Sequence, residues 1–284
     1  MATNKIFHGR TVVLATMHGK EKVIVPILES ELGVNVILPK NFNSDQFGTF
    51  TGDTARTGNQ LEAARLKVQS AMKLTGAGIG IASEGSFGAH PSVAFMQSNL
   101  ELVLLLDVKN NLEIRGHHRS SDTNMSGQYV SGPEEALEFA KSIGFPEHGV
   151  VIRKSEKDNQ SIHKGMQSEY ELIKQVESLL ESFSTKRVFM ETDMRAHMNP
   201  TRMEKIALAT KDLVANINSR CPACETPGFV IFDVKNGLVC ELCKLPTESP
   251  LAYIRKCQKC GVEKTILRED KKYEEPGLCN WCNP

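Results

Sequence analysis

Thr11-Val-Val-Leu-Ala-Thr16, the helical stretch Gly19 to Leu32 and the run Val34 to Leu38 together decide the fold class of the first part of this chain. The opening run is short and apolar, which reads as a buried strand. After Gly19 the apolar residues fall at Val23, Ile24, Ile27, Leu28 and Leu32, the spacing of one helix face, with Pro26 marking a kink. Val34 to Leu38 is a second strand, closed by Pro39. Strand, helix and strand in this order predict an α/β domain with helices packed on a sheet.

The pattern continues along the chain. Asn41 to Asn59 is polar and rich in Gly and Thr, a loop. Leu61 to Leu74 carries Leu61, Ala64, Val68, Ala71 and Met72 on one helical face, and Ile79 to Ser83 is a strand. Leu100 to Asp107 and Leu112 to Arg115 flank Lys109-Asn110-Asn111 and predict a hairpin. Helices are expected at Glu134 to Ile143 and Gln167 to Ser182, and strands at Gly149 to Arg153 and Arg187 to Met190. In the last helix Met203, Ile206, Ala207, Thr210, Leu213, Val214 and Ile217 form one stripe. It follows Asn199-Pro200 and opens on Thr201-Arg-Met-Glu204, a capping-box pattern. The first domain is expected to span 1–219.

All eight cysteines lie beyond it, in 220–284, as four Cys-x-x-Cys pairs. Fifteen residues separate Cys221/Cys224 from Cys240/Cys243, and eighteen separate Cys257/Cys260 from Cys279/Cys282. Both intervals match a zinc ribbon, so two structural Zn²⁺ ions with four thiolates each are expected. Short loops close at lower entropic cost, which predicts consecutive pairing of the motifs over an interleaved one. Phe229 to Val234 followed by Asn236-Gly237 predicts a ribbon hairpin.

Composition narrows the function classes. The 284 residues include 34 Lys plus Arg and 34 Asp plus Glu, which gives no global pull towards nucleic acid or anionic membrane. The tail from 221 onward holds nine basic and nine acidic residues, and each four-thiolate zinc site would add two negative charges. Binding of nucleic acid by the ribbons is therefore disfavoured, and contact with a protein partner is expected instead. The longest apolar run, Leu102 to Leu106, is too short to span a membrane. The lack of a signal-like opening and of a membrane span predicts a cytoplasmic protein.

Three segments of the first domain carry phosphate chemistry if their strands are parallel neighbours. Ala15-Thr-Met-His-Gly-Lys-Glu-Lys22 turns from a strand into a helix, where backbone N–H groups with Lys20 and Lys22 suit an anion. The second segment, Leu61 to Lys67, offers Glu62 and Lys67. The third, Ile81-Ala-Ser-Glu84-Gly85, ends an apolar strand in an acid. Carboxylates so placed suit a hard ion such as Mg²⁺ or Mn²⁺. Gly76, Gly78 and Gly80 precede their strand rather than follow it, which excludes a dinucleotide fingerprint.

Ala15-Thr16 with His18, Glu62-Ala-Ala-Arg-Leu-Lys67 and Ser83-Glu84-Gly85 together resemble the inosine-triphosphate pyrophosphatase superfamily, in particular its inosine/xanthosine triphosphatase branch. His18 stands where that superfamily usually has Asn. The whole chain, with its cysteine-rich tail, resembles a bacterial family with a C-terminal double zinc ribbon. The resemblance implies a mixed sheet flanked by helices and a metal-dependent hydrolase of nucleoside triphosphates or related phosphoanhydrides that releases pyrophosphate. It implies Glu62 and Glu84 as magnesium ligands and catalytic groups with Lys20. Thr16, His18, Lys22 and Lys67 would then meet the substrate. Arg119 and the late residues Asp193, Arg195, His197 and Arg202 complete the expected substrate contacts. The alternative is a non-catalytic nucleotide sensor or adaptor whose ribbons bind a protein. In the late segment a structural reading is equally open, with Glu191 or Asp193 paired to Arg195 and Asn199 or Thr201 capping the last helix.

Overall fold

In the computed structural model, which describes residues 6–44, 58–91, 93–182 and 185–283 (without the side chain of Ala94), the chain divides into two units, 1–214 and 215–284. The division falls inside the last long helix, a few residues before the boundary the cysteines suggest. Most of the expected loop between 41 and 59 lies outside the described residues.

The first unit opens with β1 (Thr11–Ala15), α1 (Glu21–Leu32), β2 (Asn35–Ile37), α2 (Gln60–Thr75) and β3 (Ile79–His90). β4 (Val93–Asp107) and β5 (Leu112–Ser120) follow, and the sheet order is β2-β1-β3-β4-β5. β1 runs parallel to both β2 and β3, while β3, β4 and β5 are antiparallel, so the sheet is mixed. Local chemistry sets the helix ends. Gly33, at φ 63°, closes α1 in the left-handed region, where a side chain is strained. Asn59 caps α2 in a full capping box with Glu62. Val68, Ala71 and Met72 of α2 pack on Val13, Ala15, Ala82, Leu102 and Leu104. Each large aliphatic side chain so buried contributes about 1.5–3 kcal/mol.

A second sheet follows, built from β6 (Gly127–Val130), β7 (Val150–Arg153), β8 (Ile162–Met166) and β9 (Val188–Thr192) in the order β6-β9-β7-β8, all antiparallel. α3 (Pro133–Ser142) and α4 (Glu169–Ser182) supply Ala136, Phe139, Ala140, Leu172, Val176 and Leu179 to its core. α5 (Pro200–Asn218) starts with Pro200 at its first position, and Asn199 Oδ1 accepts the Arg202 N–H at 2.9 Å. The cap is therefore Asn199 rather than Thr201, whose hydroxyl instead meets His148 Nε2 at 3.0 Å. α5 lies directly against β5 at Gly116. A Cβ there would run into the backbone of Ala209 and Leu213, so glycine is required for space.

The second unit is a three-stranded antiparallel sheet, β10 (Val230–Asn236), β11 (Pro250–Lys256) and β12 (Glu263–Leu267), with β11 in the middle. The expected tight hairpin at Asn236-Gly237 is absent. β10 and β11 are joined by a long connection that carries the second cysteine pair.

Candidate functional site

The order β2-β1-β3 makes the carboxyl end of β1 a topological switch point. The chain leaves β1 through α1 to one neighbour and returns through α2 to the other. Parallel strands open a crevice at such a point, the usual place for a ligand. Ala15 pairs with Ala82, and β3 continues beyond the end of β1 through Ser83, Glu84 and Gly85. The segments Thr16–Lys22, Gln60–Lys67 and Ser83–Gly85 thus meet, as their reading as parallel neighbours expects. Gln60 ties the start of α2 to this edge, since its amide donates to the carbonyl oxygens of Glu84 and Leu100 at 2.7 and 2.9 Å.

Five buried charges gather here: Lys20, Lys67, Glu84, Glu101 and Arg202. Alternation along β3 divides them between the two faces of the sheet. Glu84 pairs with Lys67 of α2. Ser83 accepts from Lys20, whose Nζ lies 2.8 Å from its carbonyl oxygen and 3.4 Å from its hydroxyl. Arg202 binds Glu101 through Nε at 2.8 Å and also donates to the Met194 carbonyl. Gly85 makes room for this pair, because a Cβ there would lie 2.7 Å from Glu101 Oε1.

Among the described residues three buried cations face two buried carboxylates, and the surplus falls on Lys20. Lys67 and Arg202 each hold a carboxylate, whereas the hydrogen bonds of Lys20 among the described residues go to neutral oxygens. Burial pushes the Lys20 ammonium down to about 7. The Arg202 guanidinium lowers it further, against the pull of Glu84 and Glu101. Two buried polar atoms nearby in sequence, Thr16 Oγ1 and Asn99 Oδ1, have no hydrogen-bond partner among the described residues. No side chain caps the amino end of α1.

The remaining expected site residues divide. The rings of His18 and His197 stack at 5.1 Å between centroids, 11° from parallel, which brings the late segment to the β1–α1 turn. Asp193 is fully buried but serves Arg195, accepting from its backbone N–H at 3.0 Å and from its guanidinium at 2.5 Å. These two residues thus form one of the ion pairs of the structural reading. Arg119 is exposed and reaches Ser98 Oγ at 3.2 Å, and Lys22 is exposed.

Glu62 sits at the start of α2. Its exposed carboxylate accepts the Asn59 N–H at 2.8 Å as the third residue of the α2 capping box. A hard divalent cation needs several free oxygen donors. Among the described residues Glu62 is spent on the cap, Glu84 on Lys67 and Glu101 on Arg202, and these carboxylates do not fit a resident Mg²⁺ or Mn²⁺. Sequence reasoning also missed Glu101. Its signal was present, a lone acid inside the apolar run Leu100 to Leu106, which folds only if the acid finds a cation.

The second unit carries two sets of four sulfurs, and here the pairing differs from expectation. Cys221 and Cys224 gather with Cys257 and Cys260, and Cys240 and Cys243 with Cys279 and Cys282. The motifs are interleaved, not consecutive. The antiparallel sheet is the reason. The first pair precedes β10, the second follows it at the opposite end, and β11 carries the chain back, so Lys256, just before Cys257, pairs with Val230. Strand pairing outweighs loop entropy, which changes by only about 0.6 kcal/mol per doubling of loop length.

Closest sulfurs stand 3.6 Å apart in the first set and 3.7 to 3.9 Å in the second. Tetrahedral ligands about 2.3 Å from a zinc stand roughly 3.8 Å from each other. The first three motifs share one turn. Residues Glu225, Lys244 and Gly261, each four beyond the leading cysteine, take positive φ and donate their N–H to that cysteine's carbonyl. Backbone hydrogen bonds around Cys243 hold the Cys240 thiol down at about 7, while the bond to Cys243 pushes Cys282 up to about 12. Four sulfurs this close cannot all ionise without a cation among them.

A family model described as a domain of unknown function matches residues 67–284, from Lys67 through the last cysteine motif. No curated protein matches the chain.

Proposed function

The chain belongs to the DUF6671 family, a domain of unknown function, so its chemistry must be read from its own side chains. On that footing we propose that the first unit binds the phosphate chain of a nucleoside triphosphate or related phosphoanhydride beyond the end of β1 and hydrolyses it. The observation that carries this reading is the surplus buried cation, Lys20, at the switch point of the sheet. A bound phosphate would supply the missing negative charge. The uncapped start of α1 adds oriented N–H groups, and Thr16 Oγ1 would gain a partner. Lys20, Lys67 and Arg202 would then offset charge that develops on the phosphates during cleavage, the main requirement of phosphoryl transfer. Cleavage at the α-phosphorus with loss of pyrophosphate is what the resemblance to the inosine-triphosphate pyrophosphatases implies.

The test is a release assay for phosphate and pyrophosphate over standard and non-standard nucleotides. A second reading, a nucleotide sensor without turnover, draws support from the engagement of Glu84 and Glu101 in ion pairs, which leaves neither carboxylate free to activate water. Binding without release would select it.

For the second unit the proposal is two structural zinc ions, one in each four-cysteine set. The exposed apolar side chains Phe232, Leu242 and Trp281 suit contact with a protein partner better than with nucleic acid.

A further inference from the structure

We infer that the phosphate ligand of this site binds without a divalent cation, the buried lysines and arginine standing where a metal would otherwise neutralise it. The inference rests on the phosphoanhydride reading above and sharpens it.

A magnesium-bound nucleotide is held through carboxylates that reach the ion. Among the described residues, the carboxylates at this edge of the sheet are engaged in the other sense. Glu84 lies against Lys67 and Glu101 against Arg202, both pairs buried. To reach either, a divalent ion would have to displace an ammonium or a guanidinium already in place. The displaced cation would then be left buried without its counter-charge. Glu62 is turned back onto the Asn59 N–H, at the surface. Among the described residues, metal-capable side chains gather in threes or more only at the cysteines. A free phosphate chain meets the opposite situation. It brings negative charge to a cluster that, among the described residues, has one cation in excess, and Lys20 Nζ is held there by two neutral oxygens rather than by a carboxylate.

Calorimetric titration of the zinc-loaded full chain with pyrophosphate and with nucleoside triphosphates tests this, once in metal-depleted buffer and once with added Mg²⁺. Zinc content is measured before and after, so that the ribbons are known to stay intact. The expected result is equal or tighter binding without Mg²⁺, weakened at least tenfold by Lys20→Met, with Lys20→Arg recovering part of the loss. Binding seen only with Mg²⁺ overturns the inference and leaves the phosphoanhydride reading standing. No binding in either buffer overturns both.

Discussion

Lys20 Nζ donates to the carbonyl oxygen of Ser83 at 2.8 Å, a bond that ties the start of α1 to β3 across 63 positions of chain. Among the described residues the lysine contributes a positive charge that no carboxylate contact balances. Its ammonium is pushed down from 10.5 to about 7. Between these values the unfolded chain holds a proton that the folded chain lacks, so stability from this group rises with pH across that window. Below about 7 the lysine is charged in both states, and its desolvation weighs on the fold in full. The melting temperature of the wild type relative to Lys20→Met is therefore expected to climb from about pH 7 towards pH 10. A difference that stays flat over that range would contradict the assignment.

Glu62 and Glu84 are expected to fail in different ways when changed. Glu62→Ala removes half of a capping box at an exposed helix start, a loss of about 1 kcal/mol with phosphate binding unaltered. Glu84→Gln leaves the Lys67 ammonium buried without its counter-charge, which costs about 3–5 kcal/mol. The double variant Lys67→Met with Glu84→Gln should lose less than the sum of the single changes, because the two groups act as a pair. Denaturant titration of the four proteins measures this, and strict additivity would refute the pairing.

The interleaved sulfur sets make a counting prediction. Cys221→Ser with Cys260→Ser strikes one site and should leave one zinc per chain, whereas Cys221→Ser with Cys243→Ser strikes both. Consecutive pairing gives the reverse result for these two variants. Elemental analysis of the purified proteins decides between them.

Gly116→Ala should destabilise the first unit by about 3 kcal/mol, since its methyl group would press on the backbone of α5 rather than on a movable side chain. Calorimetric melting reports the loss, and a shift within error would show that α5 can step away from β5.

The parts of this fold legible in the sequence are those whose burial leaves a periodic trace. Thr11 to Ala15, the α2 stripe around Ala64 and Val68, and the α5 stripe from Met203 to Ile217 can all be read directly. β6, Gly127-Gln-Tyr-Val130, and β8, Ile162-His-Lys-Gly-Met166, leave none, being short, half-exposed strands on the edges of their sheet. β3 and β4 extend well past their apolar cores because each pairs with the other out to His90 and Val93. That extension is fixed by a partner strand and not by hydrophobicity. The site was legible as types and spacing, in Lys20, Lys67 and Glu84. Its charge balance was not, because Glu101 and Arg202 enter from segments 101 residues apart that only the folded sheet brings together.

The interleaving also sets an order of assembly. As the chain is synthesised, the first sulfur set is complete only when Cys260 has emerged, and by then Cys240 and Cys243 are already out and waiting. The second set must wait for Cys279 and Cys282. Two half-built sites therefore coexist for a time on one nascent strand, each able to capture the other's ion or sulfur. Pairing of β10 with β11, which sets Lys256 against Val230, is what assigns each motif to its own set.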